Sequence, residues 1–162
     1  MLKKGFIAVA GLLFLVLIVN YFNQAQEITD NIQQEAGQVE ITGKIKDETQ
    51  AQAALAVLQT NLTAANEKDL ALYIQTLVPE AREATKSELE KTFAEYDLEH
   101  TLLSFEVMKQ TDDLLQVKTQ QKTINLGKNK YRNHITEAHH TFVKEDGQWL
   151  IKEVSMSNTQ FI

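Results

Sequence analysis

The chain has no cysteine and a single proline in 162 residues. Without cysteine there is no disulfide, no thiolate metal site, no thiol nucleophile and no lipidated cysteine. A cysteine-free chain suits either redox compartment, so that question stays open. No Gly-rich phosphate loop, nucleotide fingerprint or Ser-His-Asp ordering is present. Basic residues are outnumbered as well. The 16 Lys and Arg face 22 Asp and Glu, a net charge of −6, and two of the lysines stand at the very start. An acidic domain repels phosphate backbones, and no basic stripe offsets this, so nucleic-acid binding is disfavoured.

Apolar residues make up 43% of the chain, and much of that share falls in the first two dozen positions. After MLKK comes GFIAVAGLLFLVLIVNYF, with no polar side chain from Phe6 to Val19. About 17 residues at 1.5 Å each give roughly 25 Å of helix, the lower limit for crossing a bilayer core. Lys3 and Lys4 can snorkel at one end, while Tyr21 and Phe22 suit the opposite interface. The next basic residue is Lys44, after Glu27, Asp30, Glu35 and Glu40. The positive-inside rule predicts a single-pass protein of the cell membrane, with its N-terminus cytoplasmic and its C-terminal domain outside. A cleaved signal peptide would look similar, but a cut after Ala25 puts Asn23 where a small residue is wanted. An uncleaved anchor over residues 1–22 is the expectation, and either reading exports the domain.

Residues 23–48 are mostly Gln, Asn, Glu, Asp and Thr, and read as a polar stalk. Residues 49–162 read as the folded domain. Ala54, Leu55, Leu58, Leu62 and Ala65 recur at helical spacing and define one amphipathic helix. Asp69 is an N-cap for a shorter second helix with the face Leu70, Tyr73, Ile74 and Leu77, and Pro79 is expected to end it. TKSE at 85–88 reads as a capping box opening a third helix that buries Leu89, Phe93 and Tyr96. Beyond Leu98 the period becomes two. Phe105 and Val107 alternate with polar neighbours, Asp112-Asp113 turns the chain, and Leu115, Val117 and Thr119 alternate on the return. A second pair follows, residues 131–143 and 149–157, joined by Glu145-Asp146-Gly147. Three helices followed by about four antiparallel strands predict an α+β domain, with the helices packed on one curved sheet.

In that order, three patterns resemble the NTF2-like superfamily over about residues 50–157. NEKDLALY at 66–73, with Pro79 shortly after, is similar to that family's second helix, with Lys68 where glycine is usual. The helix from Thr85 to Tyr96 runs into a strand, and TFVKEDGQWLIKEV at 141–154 resembles the family's terminal hairpin. The resemblance points to SnoaL-like and exported Gram-positive NTF2-like domains, and it implies a cone-shaped fold more firmly than an activity.

The stretch HHTFVKEDGQWLIKEV at 139–154 is the densest in chemistry-bearing residues. Strand neighbours point to opposite faces, so His139 and His140 cannot share a ligand, and His134 lies on the face of His140 about 20 Å away along the strand. No metal site is expected, and His100 has no partner in sequence. With a three-residue type I turn at 145–147, Lys144 would face Gln148, Thr141 would face Ile151 and His139 would face Glu153. Glu137 would share that face. His139 as base, oriented by Glu153 or Glu137, is therefore the one acid–base arrangement the sequence offers; its alternative is an ordinary cross-strand ion pair at the sheet rim. Tyr73, Phe93, Tyr96 and Trp149 are candidates for lining an apolar pocket.

Two functions remain. One is a membrane-anchored extracytoplasmic module, without catalysis or cofactor, that binds a protein partner, a second copy of itself or a small ligand. A scaffold role like that of VirB8-type proteins, which also place an NTF2-like domain after one span, is a form of it. The other is a SnoaL-like enzyme acting on a small apolar substrate through His139 and Glu153.

Overall fold

The computed structural model describes residues 38–162. The anchor expected over residues 1–22, and most of the stalk, lie outside the described residues. Among the described residues no helix is long and apolar enough to cross a membrane.

The domain begins with a short strand, β1 (Ile41–Gly43), inside the stretch read as stalk. Three helices follow: α1 (Glu48–Glu67), α2 (Leu70–Gln75) and α3 (Pro79–Glu95). Four long strands complete it: β2 (Leu98–Gln110), β3 (Leu114–Asn125), β4 (His134–Glu145) and β5 (Gln148–Phe161). They form one five-stranded sheet in the order β1-β2-β3-β4-β5, antiparallel except for the parallel pair β1–β2. The expected α+β fold, helices on one curved sheet, is therefore present, with one more strand than the alternation in the sequence reveals.

Local chemistry sets the helix ends. The Asp47 carboxylate accepts from the Gln50 amide at 3.1 Å and starts α1, and Asp69 accepts from Leu72 at 2.9 Å to start α2. Between them Lys68 takes the left-handed conformation, φ 56°, and its amide closes α1 onto Ala64 and Ala65. Glycine is the usual residue at a left-handed helix end, and a lysine there costs about 1 kcal/mol of backbone strain. Its ammonium pairs with Asp97.

Pro79 opens α3 instead of closing α2. At the first helical position the missing N–H would have no intrahelical partner anyway, and the fixed φ suits the helix. Thr85 consequently sits buried in the middle of α3, not at a cap. The link before α3 is tied to the sheet: Val78 donates to the Ile151 carbonyl at 3.0 Å, and Ile151 donates to that of Thr76 at 2.8 Å.

One core joins the layers. Ala54, Leu55, Leu58, Leu62 and Ala65 of α1 pack with Leu89 of α3 and with Phe105, Val107, Leu115, Val117, Phe142 and Ile151 of the sheet. Each large side chain sealed in this way contributes roughly 1.5–3 kcal/mol. Val39 and Ile41 pack against the same core, so the chain is already part of the domain several residues before α1. Gly43, at φ 92°, permits that approach, since a Cβ there would lie 2.3 Å from the Val107 carbonyl oxygen. The Gln110 carboxamide then clasps the next turn, accepting from Lys46 and Asp47 and donating to the Asp47 carbonyl at 2.8 Å.

The final hairpin differs from expectation by one residue. Asp146 (φ 48°) and Gly147 (φ 79°) are both left-handed and form a two-residue turn, so Glu145 faces Gln148 and Lys144 faces Trp149. A bulge then follows. Phe142 faces Ile151 but Thr141 faces Glu153, leaving Lys152 as the extra residue.

Candidate functional site

The register sorts the inner face of β2 to β5 into five rows, four residues across. Nearest the last hairpin are Gln110, Leu115, Phe142 and Ile151; next come Val107, Val117, His140 and Val154; then Phe105, Thr119, Ala138 and Met156. The helices pack on these three rows. The fourth row is Leu102, Gln121, Thr136 and Thr159, and the fifth is His100, Thr123, His134 and Phe161. The inner face thus runs from apolar to polar, and the polar end lies beside a second small cluster of Tyr96, Tyr131 and Leu98.

Three of the four histidines point inward. His140 is fully buried against Phe142, its ring 6.1 Å away and nearly parallel. Its Nδ1 is 3.4 Å from the Thr119 hydroxyl, and its Nε2 is 3.4 Å from the Gln121 amide nitrogen. Burial, reinforced by the neighbouring His139, pushes its pKa down to about 4. His100 is partly buried, with Nδ1 at 3.0 Å from the Thr123 hydroxyl. Asn66 holds its backbone from both sides, accepting from its N–H at 2.7 Å and donating to its carbonyl at 3.0 Å. Burial, then the approach of His134, lowers its pKa to about 4.

His134 is the third. Its Nδ1 lies 2.9 Å from the Arg132 carbonyl, which can only accept, so Nδ1 carries the proton. Burial lowers its pKa, an effect that this hydrogen bond partly offsets. All three rings are neutral at pH 7. In the neutral ring Nε2 keeps a lone pair. That Nε2 and the Thr136 hydroxyl are the two buried side-chain polar atoms without a hydrogen-bond partner among the described residues. Leaving a buried polar atom unpaired costs about 1–3 kcal/mol, and the two stand on adjacent rows of one strand.

The remaining candidates are dispersed. His139 is exposed on the outer face. It stands opposite Ser155 and Lys118, and the Lys118 ammonium is paired with Glu106 at 2.8 Å. Glu153 is exposed and faces Thr141, and Glu137 accepts from the Ser157 hydroxyl at 2.7 Å. The expected His139–Glu153 pairing is not formed, because the tighter turn and the Lys152 bulge move the register. Tyr73 is core, its hydroxyl proton held above the ordinary range by burial, which a hydrogen bond from Asn61 only partly offsets. Trp149 is buried with its indole N–H bonded to Gln50 at 2.8 Å, and Phe93 packs at the edge of the main core. Of these aromatics, Tyr96 alone lies at the polar end, 5.4 Å from Tyr131. No three His, Asp or Glu side chains converge as a metal site among the described residues.

Sequence reasoning missed the polar rows as a unit. Their signal was there: in β3 the inward run Leu115, Val117 continues as Thr119, Gln121, Thr123, and in β4 His134, Thr136 lead to Ala138 and Phe142. Alternation that stays in phase while turning polar marks an inner face that stops being core.

The sequence profile of the anti-sigma-I factor RsgI9 C-terminal domain matches residues 56–162. No curated protein sequence matches the chain. Among solved structures the domain resembles an NTF2-like protein of unknown function from Pseudomonas putida, with TM-score 0.60 and 11% identity, over 68% of this chain and 87% of that one. A candidate aromatic ring hydroxylase from Novosphingobium aromaticivorans superposes with TM-score 0.63 at 12% identity, over 72% and 95%. A candidate scytalone dehydratase from the same organism gives 0.58 at 17%, over 71% and 89%. At such identities the likeness is one of fold, and the fold is NTF2-like.

Proposed function

The chain belongs to the family of the anti-sigma-I factor RsgI9 C-terminal domain, and on that premise we propose that it is a membrane-anchored, extracytoplasmic binding module without catalytic activity. The observation that carries the reading is the family match over residues 56–162, in a chain where Lys3 and Lys4 precede an apolar run at the lower limit of membrane-spanning length. An anti-sigma factor is by name a protein that acts by binding, and the matched part is its C-terminal domain. In this chain that domain follows the expected anchor, which suits a part that meets a partner or ligand outside the cell.

Non-catalytic binding is further supported by the placement of the titratable groups. The one acid–base pair offered by the sequence needs His139 beside Glu153, and these residues occupy different register positions on an exposed surface. The inward histidines are neutral and bonded to threonines, a glutamine or a backbone carbonyl, with no carboxylate partner on the inner rows.

The test uses the full chain in its native membrane. Protease added to intact cells should remove the domain, and crosslinking from it should trap one partner, or a second copy, in fixed stoichiometry. Protection of the domain from external protease would overturn the topology. Turnover of a small apolar substrate by the purified chain, abolished by His139→Ala, would overturn the non-catalytic reading.

A further inference from the structure

We propose that the polar end of the inner face is a binding site for a small uncharged ligand bearing a hydroxyl group, held between His134 and Thr136. This rests on the binding-module reading and gives its ligand a chemical class.

The demand is written in the two unpartnered atoms. Nδ1–H of His134 is committed to the Arg132 carbonyl, so Nε2 presents a lone pair and requires a donor. The Thr136 hydroxyl, two residues along on the same face, has neither donor nor acceptor. One hydroxyl group satisfies both, donating its proton to Nε2 and accepting from the threonine O–H. A carboxylate has no proton for Nε2, and an ammonium, though able to donate to both atoms, would carry a charge into a buried place whose rows hold no carboxylate to balance it. The surroundings agree. Inward positions of these two rows are His100, Leu102, Gln121, Thr123, Thr159 and Phe161, none of which carries a fixed charge. Burial keeps both histidine rings in the neutral form.

Both atoms are sealed in this structure, with His134 at 0% and Thr136 at 1% exposure. The cover is the end of β5. Phe161 stands edge-on to the His134 ring, centroids 6.3 Å apart, and the Arg132 guanidinium carbon lies over the Phe161 ring, 4.0 Å from its centroid. Beyond it, the Ile162 amide donates to the Asn133 carbonyl at 3.0 Å. A register shift opposite Glu137 and Ala138 separates this end from the rest of the strand. The ligand enters by displacing Phe161, and its hydroxyl takes up the two atoms that the closed form leaves unpaired.

The experiment titrates the full chain, isotope-labelled at its histidine nitrogens, with cyclohexanol. Cyclohexylamine and cyclohexanecarboxylate serve as charged controls of similar size. The His134 Nε2 resonance, read by long-range proton–nitrogen correlation, should shift saturably with cyclohexanol and not with the charged analogues. Thr136→Val, which keeps the shape of the side chain, should weaken that binding about tenfold, equivalent to about 1.4 kcal/mol. The proposal is overturned by the absence of a saturable shift, by an equal response to all three probes, or by undiminished binding to Thr136→Val. It is also overturned if Nε2 is already hydrogen-bonded to an ordered water that cyclohexanol does not displace. None of these results bears on membrane topology or protein crosslinking, so the broader reading stands or falls separately.

Discussion

His100 and Thr123 face each other across β2 and β3, with the imidazole Nδ1 3.0 Å from the threonine hydroxyl oxygen. The hydroxyl can serve a neutral ring in either tautomer, and no carboxylate faces it from the adjoining inner positions to hold a charged one.

The stability of the domain should therefore decline in mild acid. His100 and His140 titrate near 4 in the fold, below the ordinary 6.5. Between those values the unfolded chain binds more protons than the folded one, so stability is full above about pH 6.5, falls toward pH 4 and levels off below it. For the sealed His140 the loss is on the order of 3 kcal/mol. Urea melts at stepped pH should show this decline, and His140→Gln should reduce it to the share that His100 contributes.

Glycine is needed at Gly43 for two reasons and at Gly147 for one. Both have positive φ, but a Cβ at Gly43 also meets the Val107 carbonyl oxygen at 2.3 Å, whereas nothing lies within 4 Å of one at Gly147. Gly43→Ala should cost about 2–3 kcal/mol by denaturant midpoint, and Gly147→Ala about 1 kcal/mol.

His139→Ala should leave stability within about 0.5 kcal/mol, because the side chain is exposed on the outer face. The same replacement at His134 should cost roughly 2 kcal/mol or more, from lost packing against Tyr131 and Phe161 and from the Arg132 carbonyl left unpaired. Chemical denaturation of the two variants side by side gives the comparison.

Thr136→Val should raise stability by about 1 kcal/mol, since a methyl group replaces a buried hydroxyl that has no partner. A rise in the urea midpoint at constant slope is the expected readout.

The features legible in the sequence are those carried by short-range periodicity. The face of α1, the cap at Asp69 and the alternation within the long strands follow from spacing and side-chain type within a few residues, whereas the strand ends do not: β4 and β5 run over His134–Glu145 and Gln148–Phe161, not 131–143 and 149–157. β1 has only three residues and no such period. It exists because Gly43 lets the backbone close on Val107 and because Ile41 finds the core, contacts some 64 residues away in the chain. Pro79, expected to end α2, opens α3 for a related reason, since proline ends one helix and begins another equally well, and only the path of the neighbouring chain chooses.

The sequence by itself determined the three helices and four long strands, the α+β class and the resemblance that the family match bears out. It also placed His134 and His140 on one face of their strand. Which face that was, and what stood opposite, was decided only by the tertiary structure. A strand has a period of two, so one residue removed from a turn, or one added at Lys152, moves every later partner across the sheet. His139, the candidate base, thereby came to lie outside beside Lys118, and His134, read only as too distant for a shared metal, came to lie inside with a lone pair unanswered.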